Sequence, residues 1–230
     1  MPNDVPPTVN PTSSINLVRS SNPWTSASSA AGFVLRYLLV VRKELISVLG
    51  SADQADDCLK ILIAHLVQVG FGEHKKGRLR DFLIKAIRTT AKAKIREMPD
   101  SEKPNVDIDS ILADNEQWLS LWRTGLLERA WRALERKEHK KPDQPLFSVL
   151  HCATTKAKQP GQSLRERIKS ERSIEIEEAK IQSLLQAARA MFAQLLADEV
   201  AETLEKPKEE EVKAELKTLG LTKAFDGIAI

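Results

Sequence analysis

The chain is short of cysteine, aromatic residues and glycine, and each shortage closes off a class of protein. Two cysteines in 230 residues cannot build a disulfide scaffold. Cys58 sits within an apolar helical pattern, where a thiol acts as a small hydrophobe in a reducing compartment. Nine glycines and eleven prolines exclude collagen-like and low-complexity architectures. There is no Gly-rich phosphate loop, no Gly-x-Ser-x-Gly elbow and no Cys-x-x-Cys, and His65, His74, His139 and His151 are scattered through different elements. Without a converging nucleophile, base or metal set, no enzyme activity and no cofactor are expected. Long apolar runs are missing as well. Those at 33–41 and 61–67 are interrupted by Arg36 and His65, and neither reaches the roughly 20 residues that span a bilayer. No basic-then-apolar leader opens the chain, so the expectation is a cytoplasmic protein with no membrane partner.

What is present is helical periodicity, with 42% hydrophobic content and 29% charge. No sustained period-two run appears, so the fold class expected is all-α: two small helical domains joined by a linker, the second with a helix-turn-helix. Residues 1–27, rich in Pro, Asn, Ser and Thr, read as a disordered tail. Residues 28–97 form the first domain. Its first helix, over 28–49, stops at Gly50, and Ser51 with Gln54 makes a capping box for a second helix running to residue 69. Leu79, Phe82, Leu83, Ala86, Ile87 and Thr90 then mark a third amphipathic helix. Residues 98–114, with two prolines, four aspartates and few bulky side chains, read as the linker. The second domain, 115–203, opens with a helix whose Trp118, Trp122 and Trp131 suit core packing. A turn at Pro160-Gly161 and a second capping box, Ser163 with Glu166, precede the two helices of the helix-turn-helix. Residues 204–230 read as a loosely docked C-terminal extension.

Charge is unevenly spread, which says more than the net +3. Nine Lys and Arg residues against two acids lie between Lys75 and Glu97, a local excess of +7. At about 100° per residue, Arg78, Lys85, Arg88, Lys92 and Arg96 share one ridge, roughly 140° round from the apolar face. Such a ridge can neutralise phosphates while the opposite face packs. It is also the pattern of an ordinary solvated helix face. In the helix-turn-helix, the outward positions are Lys180, Gln182, Ser183, Gln186 and Arg189, and Gln can pair with adenine in a major groove. Glu175, Glu177 and Glu178 oppose phosphate approach there, and residues 171–215 hold twelve acidic and six basic residues.

Residues 55–66 (Ala-Asp-Asp-Cys-Leu-Lys-Ile-Leu-Ile-Ala-His-Leu) and 76–87 (Lys-Gly-Arg-Leu-Arg-Asp-Phe-Leu-Ile-Lys-Ala-Ile), followed by Leu-Leu-Glu-Arg-Ala at 126–130 and the segment 192–203, resemble a divergent branch of the extracytoplasmic-function RNA polymerase sigma factors. The resemblance spans 28–203. It implies a protein that binds RNA polymerase core and promoter DNA, with an anti-sigma protein as a further partner. By the same resemblance Leu59, Leu62, Ile63 and Leu66 would be divided between the domain core and the polymerase, with Asp56 and Asp57 available to basic groups on the polymerase surface. Lys85, Arg88 and Lys92, flanked by Arg78 and Arg96, would hold the backbone near the minus-ten element. The helix-turn-helix would approach the minus-thirty-five element. The chain departs from the family at Lys60-Ile61, where members carry Gln-Glu. An all-α adaptor on a degenerate sigma scaffold is the alternative this departure suggests.

Overall fold

The computed structural model describes residues 14–20, 22–111, 113–156 and 161–228, and no strand occurs among them; Arg78 and Leu204 form an isolated bridge. The helices are α1 (Ala30–Val34), α2 (Leu38–Leu49), α3 (Ala52–Val69), α4 (Leu79–Glu97), α5 (Glu116–Lys140), α6 (Leu146–Thr154), α7 (Leu164–Arg172), α8 (Glu178–Glu202) and α9 (Glu209–Thr218). Among the described residues no helix is long and apolar enough to cross a membrane.

The helix boundaries follow local chemistry. Gly50 ends α2 in the left-handed conformation at φ 70°, which costs glycine nothing sterically. Ser51 then caps α3 by accepting from the Gln54 amide, although the Gln54 side chain does not return the bond. The capping box at Ser163 is complete: its hydroxyl accepts from the Glu166 amide, and Glu166 accepts from the Ser163 amide at 2.8 Å. The first expected helix is broken by a 3-10 turn at Leu35–Tyr37, which rotates the face. Val34, Tyr37, Val41, Leu45 and Val48 turn inward, while Leu35 and Leu39 are exposed.

Two compact units emerge, and both are discontinuous in sequence. The first comprises 17–129 with 196–220. The second, among the described residues, comprises 14–16, 130–156, 161–195 and 221–228. The division therefore does not fall at 98–114. That segment belongs to the first unit, with Met98 and Ile108 buried and a 3-10 turn at Ile108–Ser110.

Two further expectations are corrected in the first unit. Residues 1–13 and 21 of the expected tail, and Pro160, lie outside the described residues, but Leu17 and Trp24 of the described part of the tail are buried. Trp24 is 0% exposed, meets Phe71 edge-on at 4.9 Å, and donates from Nε1 to the Gly77 carbonyl at 3.2 Å. An indole carries enough apolar area to anchor a polar segment by itself. The C-terminal extension is not loose either. Val212, Leu216 and Leu219 recur at helical spacing and are buried, so residues 209–218 are a core element of the first unit. Elsewhere in that unit Tyr37 stacks on Trp122 at 4.7 Å, and Gly125 of α5 faces Val40 so closely that a Cβ would stand 2.4 Å from its Cγ2.

In the second unit Trp131 packs against Phe192 at 4.7 Å and Phe147 at 5.9 Å. Glu138 accepts from both the amide and the hydroxyl of Ser148, which fixes the start of α6. Residues 173–177 join α7 to α8, beginning with Ser173 in the left-handed region at φ 57°.

Candidate nucleic-acid interface

A concave surface of about 780 Å³ lies in the first unit, between α3 and α4. Its α3 wall is Ile61, Leu62, His65 and Leu66; its α4 wall includes Phe82, Ala86, Thr89 and Ala93. Helical spacing produces both walls. Ile61 and His65 are one turn apart, and Ala86, Thr89 and Ala93 recur at three and four residues, so small side chains leave the α4 side open. Ile61 is 58% exposed, far from the usual state of an isoleucine beside a core. His65 is exposed in this groove.

The basic ridge runs along the neighbouring face of α4, and Lys85 belongs to both surfaces. Its cations are in three different states. Lys85 and Arg96 are exposed and have no carboxylate within ion-pair distance among the described residues. Arg88 Nη2 donates to Asp109 Oδ1 at 3.1 Å, and Lys92 Nζ donates to the same oxygen. Arg78 pairs with Asp81 at 2.8 Å and with Glu215 at 3.4 Å. Beside it Arg80, which the sequence presents as one more exposed charge, is buried. Its Nε donates to Glu215 Oε1 at 2.6 Å, its Nη2 to Glu215 Oε2 at 3.3 Å and its Nη1 to the Ala113 carbonyl at 2.6 Å. The +7 excess of the sequence is thus reduced by carboxylates that come from distant positions.

The expected polymerase contacts fall mostly on the core side of that division. Leu59, Leu62 and Leu66 are buried in the first unit and Ile63 is half-buried, so this apolar row serves the core. Asp56 receives Arg42 Nε at 2.6 Å, and Asp57 receives Lys60 at 3.2 Å and Lys94 at 3.5 Å. Side-chain bonds from Arg42 hold the Asp56 carboxyl below its ordinary range, and bonds from Lys60 do the same for Asp57. Bonds from Lys92, then Arg88, depress Asp109. A depressed carboxylate contributes stability above its unfolded value and loses it as pH falls through the folded one, so these contacts persist at neutral pH. What α3 exposes is the arc containing Asp53, Asp57, Ile61, Ala64 and Gln68.

In the second unit Lys180, Gln182, Ser183, Gln186 and Arg189 are all exposed on α8, as their spacing predicts. Lys169 pairs with Glu175 at 2.6 Å and Lys180 with Glu177 at 3.0 Å, so two of the three acids near the start of α8 are already matched. Among the described residues no group of three or more metal-ligating side chains converges.

Three features of the interface were not legible in advance: the exposed Ile61–His65 pair, Asp109 and Glu215. Ile61 was within reach of a helical-wheel reading of α3. The carboxylates were not, since they lie 17 to 21 and 135 residues from the cations they meet. Comparison of the chain with family models, curated proteins and solved structures finds no match.

Proposed function

We propose that the protein is a sigma-type initiation factor that joins bacterial RNA polymerase core through the exposed arc of α3 and holds a promoter strand along α4. One observation carries the reading: a cationic ridge, open at Lys85 and Arg96, runs beside an apolar groove of about 780 Å³ on the same helix. Phosphates need spaced cations, and unstacked bases need an adjacent surface that is apolar but carries a few polar groups. Phe82 and Ala86 offer apolar contact, and His65 and Thr89 offer the polar groups. Phe71 takes no part, being buried against Trp24.

The resemblance in segments 55–66 and 76–87 falls on α3 and α4, the two walls of this groove. On this reading α7 and α8 are the helix-turn-helix that approaches upstream promoter DNA, with Gln182, Gln186 and Arg189 facing outward. The polymerase surface is the α3 arc around Ile61, because the Leu59, Leu62 and Leu66 row is committed to the core. An anti-sigma protein would compete for the same arc.

The adaptor reading draws on a different observation, the pairing of Arg78, Arg88 and Lys92 with carboxylates. Retention of bacterial core polymerase on the immobilised protein separates the two. Wild type is expected to retain core, and Ile61→Glu, at a position that is already exposed, to weaken retention by about tenfold, since charge in the buried centre of an interface is costly. No retention by wild type would leave only the adaptor.

A further inference from the structure

The basic ridge carries its own competitor. We propose that the turn at 107–110 is an internal cover, in which the Asp109 carboxylate occupies the place of a nucleic-acid phosphate on Arg88 and Lys92. The inference rests on the reading of α4 as a strand-binding surface and adds how that surface is restrained.

Asp109 is not a chance surface neighbour. The other acidic contacts on exposed lysines are mostly local, at three or four residues' separation on one helix turn, as with Lys60 and Asp57 or Lys213 and Glu209. Asp109 reaches across 21 residues to Arg88 and 17 to Lys92. Its position is built. Ile108, immediately before it, is buried at 7% exposure and pins the turn. Asp107 closes the turn by accepting the Asp109 amide at 3.0 Å with its side chain and the Ser110 hydroxyl at 2.7 Å with its carbonyl. Asp109 itself is 66% exposed, so its side chain is held at the surface and can be displaced.

The chemistry matches the ligand it would exclude. One carboxylate oxygen accepts from both a guanidinium and an ammonium one helical turn apart, the arrangement a phosphate oxygen would take. A strand arriving at Lys85 and Arg96 must displace Asp109 to reach the two cations between them. Exposed ion pairs are weak enough for that exchange, so the cover lowers affinity without abolishing it.

The test is fluorescence anisotropy of a labelled single-stranded oligonucleotide with the full chain, titrated across salt, comparing wild type, Asp109→Asn and Asp100→Asn. Asp100 is the charge control: it lies in the same segment, but its partner is the exposed Lys103, three residues on, and not the ridge. Two exposed pairs of ordinary strength correspond to about 2- to 30-fold tighter binding for Asp109→Asn. Two more phosphate contacts steepen its log–log salt dependence by about 1.4. Asp100→Asn is expected to match wild type. If wild type and Asp109→Asn bind alike, the cover is refuted while strand binding stands. If both variants gain equally, net charge alone is responsible and the cover is again refuted. Binding by none of the three proteins refutes the strand-binding surface, and the cover with it.

Discussion

Glu215→Gln is expected to destabilise the first unit by about 3–5 kcal/mol, the cost typical of removing one partner from a buried ion pair. The variant keeps the shape of the side chain and deletes only its charge, leaving the 2% exposed Arg80 side chain with Asp81, at 3.3 Å, as its one remaining carboxylate among the described residues. Arg80 has no route to water by a simple rotation, because its Nη1 is also held by the Ala113 carbonyl at 2.6 Å. At about 2–4 °C per kcal/mol for a chain of this size, the melting temperature should fall by roughly 10 °C. Glu209→Gln, which breaks the exposed pair with Lys213 on the same helix, should move stability by no more than about 0.5 kcal/mol. Thermal unfolding followed by circular dichroism compares the two. Equal effects would mean that the Arg80 pair is no more than a surface contact, and that α9 is dispensable to the first unit.

The second large effect concerns the open cations. Lys85→Ala with Arg96→Ala removes two phosphate contacts and should make the log–log salt dependence of single-strand binding shallower by about 1.4. Lys85→Glu with Arg96→Glu should reduce binding below detection near physiological salt, since repulsion is then added at both ends of the ridge. Neither pair should change the melting temperature appreciably, because both side chains are exposed and have no ion-pair partner among the described residues. Binding measured across salt, with melting as the control, separates loss of contact from loss of fold. An unchanged salt slope in the alanine variant would place the strand somewhere other than α4.

Local chemistry was readable from the chain where it involves neighbours. Ser51 and Ser163 cap the helices they precede, Gly50 takes the left-handed turn, and the spacing of Leu79, Leu83 and Ile87 puts them in the core. The start of α4 at Leu79 falls where the apolar spacing puts it. Long-range pairing was not readable. Composition counts Arg80 among nine cations and cannot say that a glutamate 135 residues away buries it. For the same reason, a polar segment that buries scattered residues such as Leu17 and Trp24 reads as a tail, and an aspartate-rich stretch reads as a linker although Ile108 fastens it down. At α3 Leu59, Leu62 and Leu66 are the obvious apolar row, and an obvious apolar row goes to the core, leaving Ile61 and Ala64 exposed.

These corrections sharpen the account of function. The ridge is a graded surface, with a structural end at Arg78 and Arg80, a covered centre at Arg88 and Lys92, and open positions at Lys85 and Arg96. A strand-binding helix with that arrangement would depend on salt less steeply than its sequence suggests, until the centre is uncovered.

In vitro transcription with bacterial core polymerase tests polymerase binding, DNA binding and strand opening together. The account predicts transcripts that start at defined sites only when the protein is added, and that vanish with Lys85→Glu and Arg96→Glu while core polymerase is still retained. A core preparation that initiates normally with another sigma factor but yields no transcript dependent on this protein would contradict it.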